Sequence, residues 1–393
     1  MKVFRVATAL GAVVAAVYAL TGCSGGGTVN PPASVTNNAM GTQTGQSAVV
    51  DTYNSAADTD LEHDTGTSDL QQLDDMKTIG STVDPVNGDQ NPYGLDIAKA
   101  TSGKLDSGDL VVCNFNNAAN VQGTGTTIIA LHPKVGSAPR RIAQSASLNG
   151  CDALALSPIS IWAAAFAAND NPIVSPGGTV LTTLSNGPFH GPFGQAFAPH
   201  AGPFGVAAFY ESNAGDGSIV RINILKNGTF DFDVIATGFP VNHGVPGAIL
   251  GPSGLQYDAA HDRLYIVDGT DNSLIAFCGV STIPSHGITV IGNNFGGPFG
   301  HRAHLIHAGP PLNGPISSAL LPDGHLVVGN TLDPAGKNLM VEIAPSGHVL
   351  NVKNVDTGAA GAIFGMVASG HDISDLKLYF NDDNANAVEV LSK

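Results

Sequence analysis

The residues with the most chemical reach in this 393-residue chain are its histidines, carboxylates and cysteines, and few of them are grouped. Of the 13 histidines, His301, His304 and His307 recur at three-residue steps between Gly300 and Ala308. Imidazoles suit zinc, copper or nickel. Their glycine- and proline-rich flanks predict a loop, in which such a cluster stays exposed and unbound. A second set, Asn114, Asp268, Asn330, Asn381 and Asp382, ends a series of apolar runs. Hard oxygen ligands of that kind would fit a divalent cation such as calcium. The simpler role is an Asx turn, in which the side chain accepts backbone N–H bonds where a strand reverses, and that is the role expected. The cysteines show neither a CxxC nor a Cys/His pair at zinc-finger distance. No nucleophile elbow, phosphate loop or dinucleotide fingerprint is present. Any site must therefore be assembled by the fold from residues far apart in sequence.

The composition predicts what that fold is made of. Gly 49, Pro 24 and a charged fraction of only 12% indicate many short strands joined by tight turns. The formal net charge of −16 would repel a polyanion, and no Lys/Arg cluster offsets it, so nucleic acid is not an expected partner.

A repeat runs through the chain from about residue 91. Its first part is a Gly/Pro turn entering a short strand: Asn91-Pro-Tyr-Gly-Leu95, Leu148-Asn-Gly-Cys-Asp152, Gly191-Pro-Phe-Gly-Gln195, Gly251-Pro-Ser-Gly-Leu255, Asn313-Gly-Pro-Ile-Ser317 and Ala362-Ile-Phe-Gly-Met366. Its second is a strongly apolar strand, as in Arg263-Leu-Tyr-Ile-Val-Asp268 or Lys377-Leu-Tyr-Phe-Asn381, with Ile161 to Asn169 filling that place in the second copy. Its third alternates, as in Thr127 to Leu131, Thr179 to Leu184 and Ala387 to Leu391. One four-stranded sheet cannot bury both faces, whereas six packed around an axis can. The expectation is an all-β, six-bladed β-propeller of four-stranded antiparallel blades over residues 77–393. The last blade lacks a fourth strand, so 77–84 should close the ring by pairing alongside Ala387 to Leu391, which removes an open edge. Neighbouring blades would bring Cys113 and Cys151 within disulfide range and leave Cys278 over.

Two resemblances add to this reading. The string Pro252-Ser-Gly-Leu255, Leu264-Tyr-Ile-Val-Asp268 and Asp271-Asn-Ser-Leu274 resembles an NHL repeat, and Pro92-Tyr-Gly-Leu95 opens another. That resemblance implies the propeller of NHL-repeat and gluconolactonase-like proteins, which serve as binding platforms, lactonases and lyases alike. The enzymes among them hold a divalent ion in the central channel with a Glu, Asn-type ligands and an Asp. This chain departs from that pattern, because its glutamates are Glu62, Glu211, Glu342 and Glu389 and none falls on the first strand of the first blade. The N-terminus, with Lys2, Arg5, an apolar run and Leu20-Thr-Gly-Cys23, resembles a bacterial lipoprotein signal. It implies removal of residues 1–22 and acylation of Cys23. Residues 23–76 then form a flexible tether, which would reach roughly 40 Å from the membrane.

The expected function is a membrane-anchored, monomeric ligand- or protein-binding scaffold of the cell envelope, exposed outside the cytoplasm. The alternative is a metal-dependent hydrolase or lyase of the gluconolactonase or streptogramin-lyase type. In antiparallel blades the second-to-third-strand turns and the links between blades emerge on one face. That parity predicts a shared ligand-binding face for His190, His243, Asp268, Asp271, Asn330 and the histidines 301, 304 and 307, with Phe193 and Phe299 at or under its rim.

Overall fold

The computed structural model describes residues 66–393. The leader, Cys23 and the tether up to residue 65 lie outside the described residues. The body is six antiparallel sheets in sequence order. The first blade is built from Gln90–Ile97, Leu110–Asn116, Thr127–Leu131 and Arg140–Gln144. The innermost strands of the others are Cys151–Leu156, Pro192–Ala198, Pro252–Asp258, Ser317–Leu320 and Ile363–Ser369. Each packs against the next and the last returns to the first, which closes a ring. Such close approach requires glycine. A Cβ on Gly194 would sit 2.0 Å from the Ser253 carbonyl oxygen, and one on Gly365 2.4 Å from that of Tyr93.

The ring is locked by its own N-terminal strand. Asp75–Ser81 pairs antiparallel with Ala387–Ser392 as the outermost strand of blade six, from Asp75 opposite Ser392 to Ser81 opposite Ala387. The ordered body begins earlier than the boundary read from sequence, since residues 68–76 are not tether. Ser68 caps a single helical turn, Asp69–Gln72, and Leu70 and Leu73 are fully buried between blades five and six. Two leucines in a polar run are a weak signal. They become core because Glu342, a buried residue on the third strand of blade five, accepts Ser68 Oγ, Asp69 N at 3.0 Å and Leu70 N at 2.9 Å.

Two strand assignments are corrected. In blade two the apolar run ends at Ala165, a third strand follows at Asn171–Val174, and Val180–Leu184 is the fourth rather than the third strand. A tight turn holding Asp170 N to the Ala165 oxygen splits what reads as one long apolar stretch. In blade four, residues 279–302 form an insertion between the third and fourth strands. It lays Ile288–Ile291 parallel along the outer strand of blade three, and Asn294–Gly296 folds back on it, giving that sheet six strands. Cys113 and Cys151 form a disulfide between blades one and two, with Cα atoms 5.5 Å apart. Cys278 is buried beside Arg263.

Candidate functional site at the propeller axis

Strand polarity defines two faces. Inner strands begin at the face that carries the interblade links and end at the opposite face. At the link face the axis is closed. Tyr93 stacks between Phe115 and Phe364 at centroid distances of 4.2 and 3.7 Å, and Phe193, Ile249 and Ile316 complete the plug. Ile249 belongs to the link between blades three and four. This link crosses far enough for Pro246 and Gly247 to meet Gly123 and Gln122 of blade one. Beneath the plug lies a cavity of about 70 Å³ lined by Asp152 and Gln195 among other inner-strand residues. It shares Gln195 and Gln256 with a vestibule of about 270 Å³ at the opposite face, where Asp96, Lys99, Phe197 and Tyr257 stand.

Asp152 puts a carboxylate at the axis where most blades are apolar, and Glu211 stands behind it in the seam between blades two and three. In the structural register of the inner strands Asp152 takes the place of Tyr93, Phe193 and Phe364, and not that of Leu95 as the sequence repeat sets it, while Gln195 takes that of Leu95 and Leu154. Glu211, on the second strand of blade three (Ala208–Asn213), is fully buried. Its Oε2 accepts Gln195 Nε2 at 2.8 Å and also Asn171 Nδ2. Burial pushes the Glu211 carboxyl up to about 8, against the pull of those two amides. Burial, reinforced by the Glu211 charge, pushes Asp152 well above the usual carboxylate range. Sequence reading set Glu211 aside as lying off the first strand of blade one, and passed over Asp152, Asn171 and Gln195. An acid where three blades carry an aromatic ring is visible only in the structural register, because the sequence repeat sets Asp152 beside Leu95 and Gln195.

The Glu211 shift predicts a pH dependence. The folded chain holds this proton up to about pH 8, whereas an unfolded glutamate ionises near 4.3. The resulting stabilisation is full below the unfolded value and is lost as pH rises through the folded one. In chelator-treated buffer Tm should therefore fall as pH rises from about 5 to about 8, most steeply midway between the two values, and level off above that. Glu211→Gln should flatten the curve, and a pH-independent wild-type Tm would contradict the assignment.

The residues expected to share the link face are only partly brought together. His190 and His243 lie in links and are exposed, and Asp271 lies in a second-to-third-strand turn, half-buried. Asp268 is buried and performs the Asx role, its Oδ1 accepting Thr270 N at 2.9 Å and Asp271 N at 3.4 Å. Burial raises its carboxyl to about 7. Asn330 ties a link down by donating to the Pro311 oxygen at 2.8 Å and accepting Asn313 N at 3.1 Å. The Asn114 and Asn381 amides likewise hold backbone oxygens of Thr82 and Tyr93.

The histidine trio is not in a link. His301 ends the blade-four insertion at the opposite face, stacked at 6.1 Å on Phe299. His304 and His307 belong to the fourth strand, Ala303–Ala308, opposite Ala276 and Leu274. His304 and His307 are strung along the outer wall because the insertion of residues 279–302 precedes the fourth strand, so that Ala303–Ala308 pair in the sheet instead of forming the link between blades four and five expected to hold the trio. Phe193 does lie beneath the link face, whereas Phe299 does not.

Two His/Asp/Glu groupings among the described residues have ligand spacing, namely Asp106–Asp109–His132 and Asp323–His325–Glu342. Protein partners already engage both. Arg140 pairs with Asp109 at 2.5 Å, and the N-terminal segment occupies Glu342.

No protein-family description matches the chain, and no curated protein matches it by sequence. Solved structures do. A gluconolactonase from Xanthomonas campestris aligns at TM-score 0.53 and 10% identity, over 80% of this chain and 91% of that one. A chain of a nidogen/laminin complex aligns at TM-score 0.50 and 14% identity, over 72% and 87%. At these identities the likeness establishes architecture alone. The chain has a six-bladed β-propeller fold, an architecture it shares with these solved structures.

Proposed function

We propose that the protein is a non-enzymatic binding scaffold of the bacterial cell envelope, anchored through Cys23 and presenting its link face outward to a partner with a basic surface. The observation that carries this reading is where the chain enters the ring. Ser68 to Asp74 lie against Glu342, His325 and Lys353, at the face opposite the links. An anchor upstream of residue 66 would therefore join the body on the side away from the links, leaving the link face unobstructed by the tether's attachment. That face offers no tunnel to a substrate, because the aromatic plug closes the axis there. Its loops and strand ends carry Asp170, Asp216, Asp271, Asp356 and Asp383 against Lys337, a field that favours a cationic partner.

A photo-reactive residue at position 216, 243 or 271 should cross-link to one envelope component in intact cells, while positions 134, 226 and 261 on the other face should not. Equal labelling from both faces, or calcium-dependent turnover of a lactone panel, would overturn the scaffold role. Mass spectrometry of the membrane fraction should find acylated Cys23 as the mature N-terminus, and Cys23→Ser should release the protein from a salt-washed pellet. Retention of that variant in the pellet would contradict the anchor.

A further inference from the structure

Five side-chain oxygens meet no hydrogen-bond donor around the seam between blades two and three. They are Asp152 Oδ1 and Oδ2, Asn171 Oδ1, Gln195 Oε1 and Glu211 Oε1. Their residues are 4%, 0%, 8% and 0% exposed, in that order. The N–H groups of Asp152 and Ala153 lie near enough to ease the Asp152 charge but complete no hydrogen bond to it. Glu211 is bonded by amides alone. Two buried carboxylates without a basic side chain are costly as anions, and buried charge persists where it is paired or binds a metal. Asp152 and Gln195 line the axial cavity, and Gln195 and Asn171 both bond Glu211 behind it; unpartnered buried acceptors so joined call for an electropositive occupant.

We propose that this seam binds one divalent cation of the calcium class, held by Asp152 and Glu211 together with the amide oxygens of Asn171 and Gln195. One such ion cancels the charge of the two carboxylates. Hard carboxylate and carbonyl oxygens are its preferred ligands. Calcium accepts six to eight of them in irregular geometry, whereas magnesium demands a near-ideal octahedron and sheds water reluctantly. The cavity beside Asp152 and Gln195 leaves room for water to complete the shell, and its continuity with the vestibule provides an entry path. The site differs in place from the channel ion that the family resemblance implies. Asn171 stands on the third strand of blade two and Glu211 on the second strand of blade three, both away from the inner strands. An ion here would bolt two blades together, and the proposal is independent of which partner the link face recruits.

The test uses the full chain, stripped with a chelator and exchanged into metal-free buffer at pH 7.5. Native mass spectrometry should then show one Ca²⁺ per chain on adding calcium chloride. Tm should rise by about 5 °C at a hundredfold excess over Kd, with a much smaller response to Mg²⁺ or K⁺. Asp152→Asn and Glu211→Gln keep shape and remove charge. Each should abolish the Ca²⁺ response and melt, in chelator, at or above the stripped wild type. Asp106→Asn, in the exposed acidic group, should respond like wild type. Absence of a bound ion at millimolar Ca²⁺, or an undiminished Ca²⁺ response in both seam variants, would overturn the site and show that the two acids are held as neutral, protonated groups.

Discussion

A chain lacking residues 24–84 should melt well over about 10 °C below the full-length protein or fail to fold. One lacking 24–65 should melt within about 1 °C of it. The first deletion removes the strand Asp75–Ser81 and exposes the full edge of Ala387–Ser392. It also uncovers the partners of Leu70, Leu73 and Ile79, whose side chains are 0%, 0% and 2% exposed. Burial of three such side chains is worth about 5–9 kcal/mol, the same size as the net stability of a whole domain. Thermal melts of the two truncated proteins, followed by near-UV circular dichroism, decide it. Equal melting temperatures would mean that the ring closes without its N-terminal strand.

Glu342→Ala should cost about 3–5 kcal/mol, far more than the ~1 kcal/mol expected for the N-cap variant Ser68→Ala. Glu342 is fully buried. It accepts two backbone N–H groups and the Ser68 hydroxyl, and it faces His325 Nδ1 at 3.0 Å. Removing it strands those donors away from water, each at about 1–3 kcal/mol. The cost should shrink in a chain that already lacks residues 24–74, because most of the donors have left with the segment. Urea denaturation of the four proteins in this cycle measures the coupling. An undiminished penalty in the truncated chain would assign the role of Glu342 to His325 alone and not to holding the N-terminus.

What could be read from sequence is local and repeated. Turns of the Pro252-Ser253-Gly254 kind, apolar strands such as Arg263–Asp268, and alternating strands such as Leu274 to Phe277 each report a period that sterics impose within a few residues. Six copies of that period determine the blade count, and the missing fourth strand of the last blade determines that a strand must come from elsewhere. The Asx role of Asp268 was legible for the same reason, since it bonds residues two and three positions on. Tertiary structure decided whatever depends on partners far along the chain. Leu70 and Leu73 become core only because Glu342, more than 260 residues away, accepts the N–H groups beside them. The histidine spacing at 301, 304 and 307 kept its regularity but lost its meaning once an insertion turned those residues into an outer strand. Asp152, Asn171, Gln195 and Glu211 come from four strands of two blades and carry no shared motif. The packing of blade two on blade three brings these residues together, because sequence patterns record which face a side chain takes and not which side chain will stand opposite it.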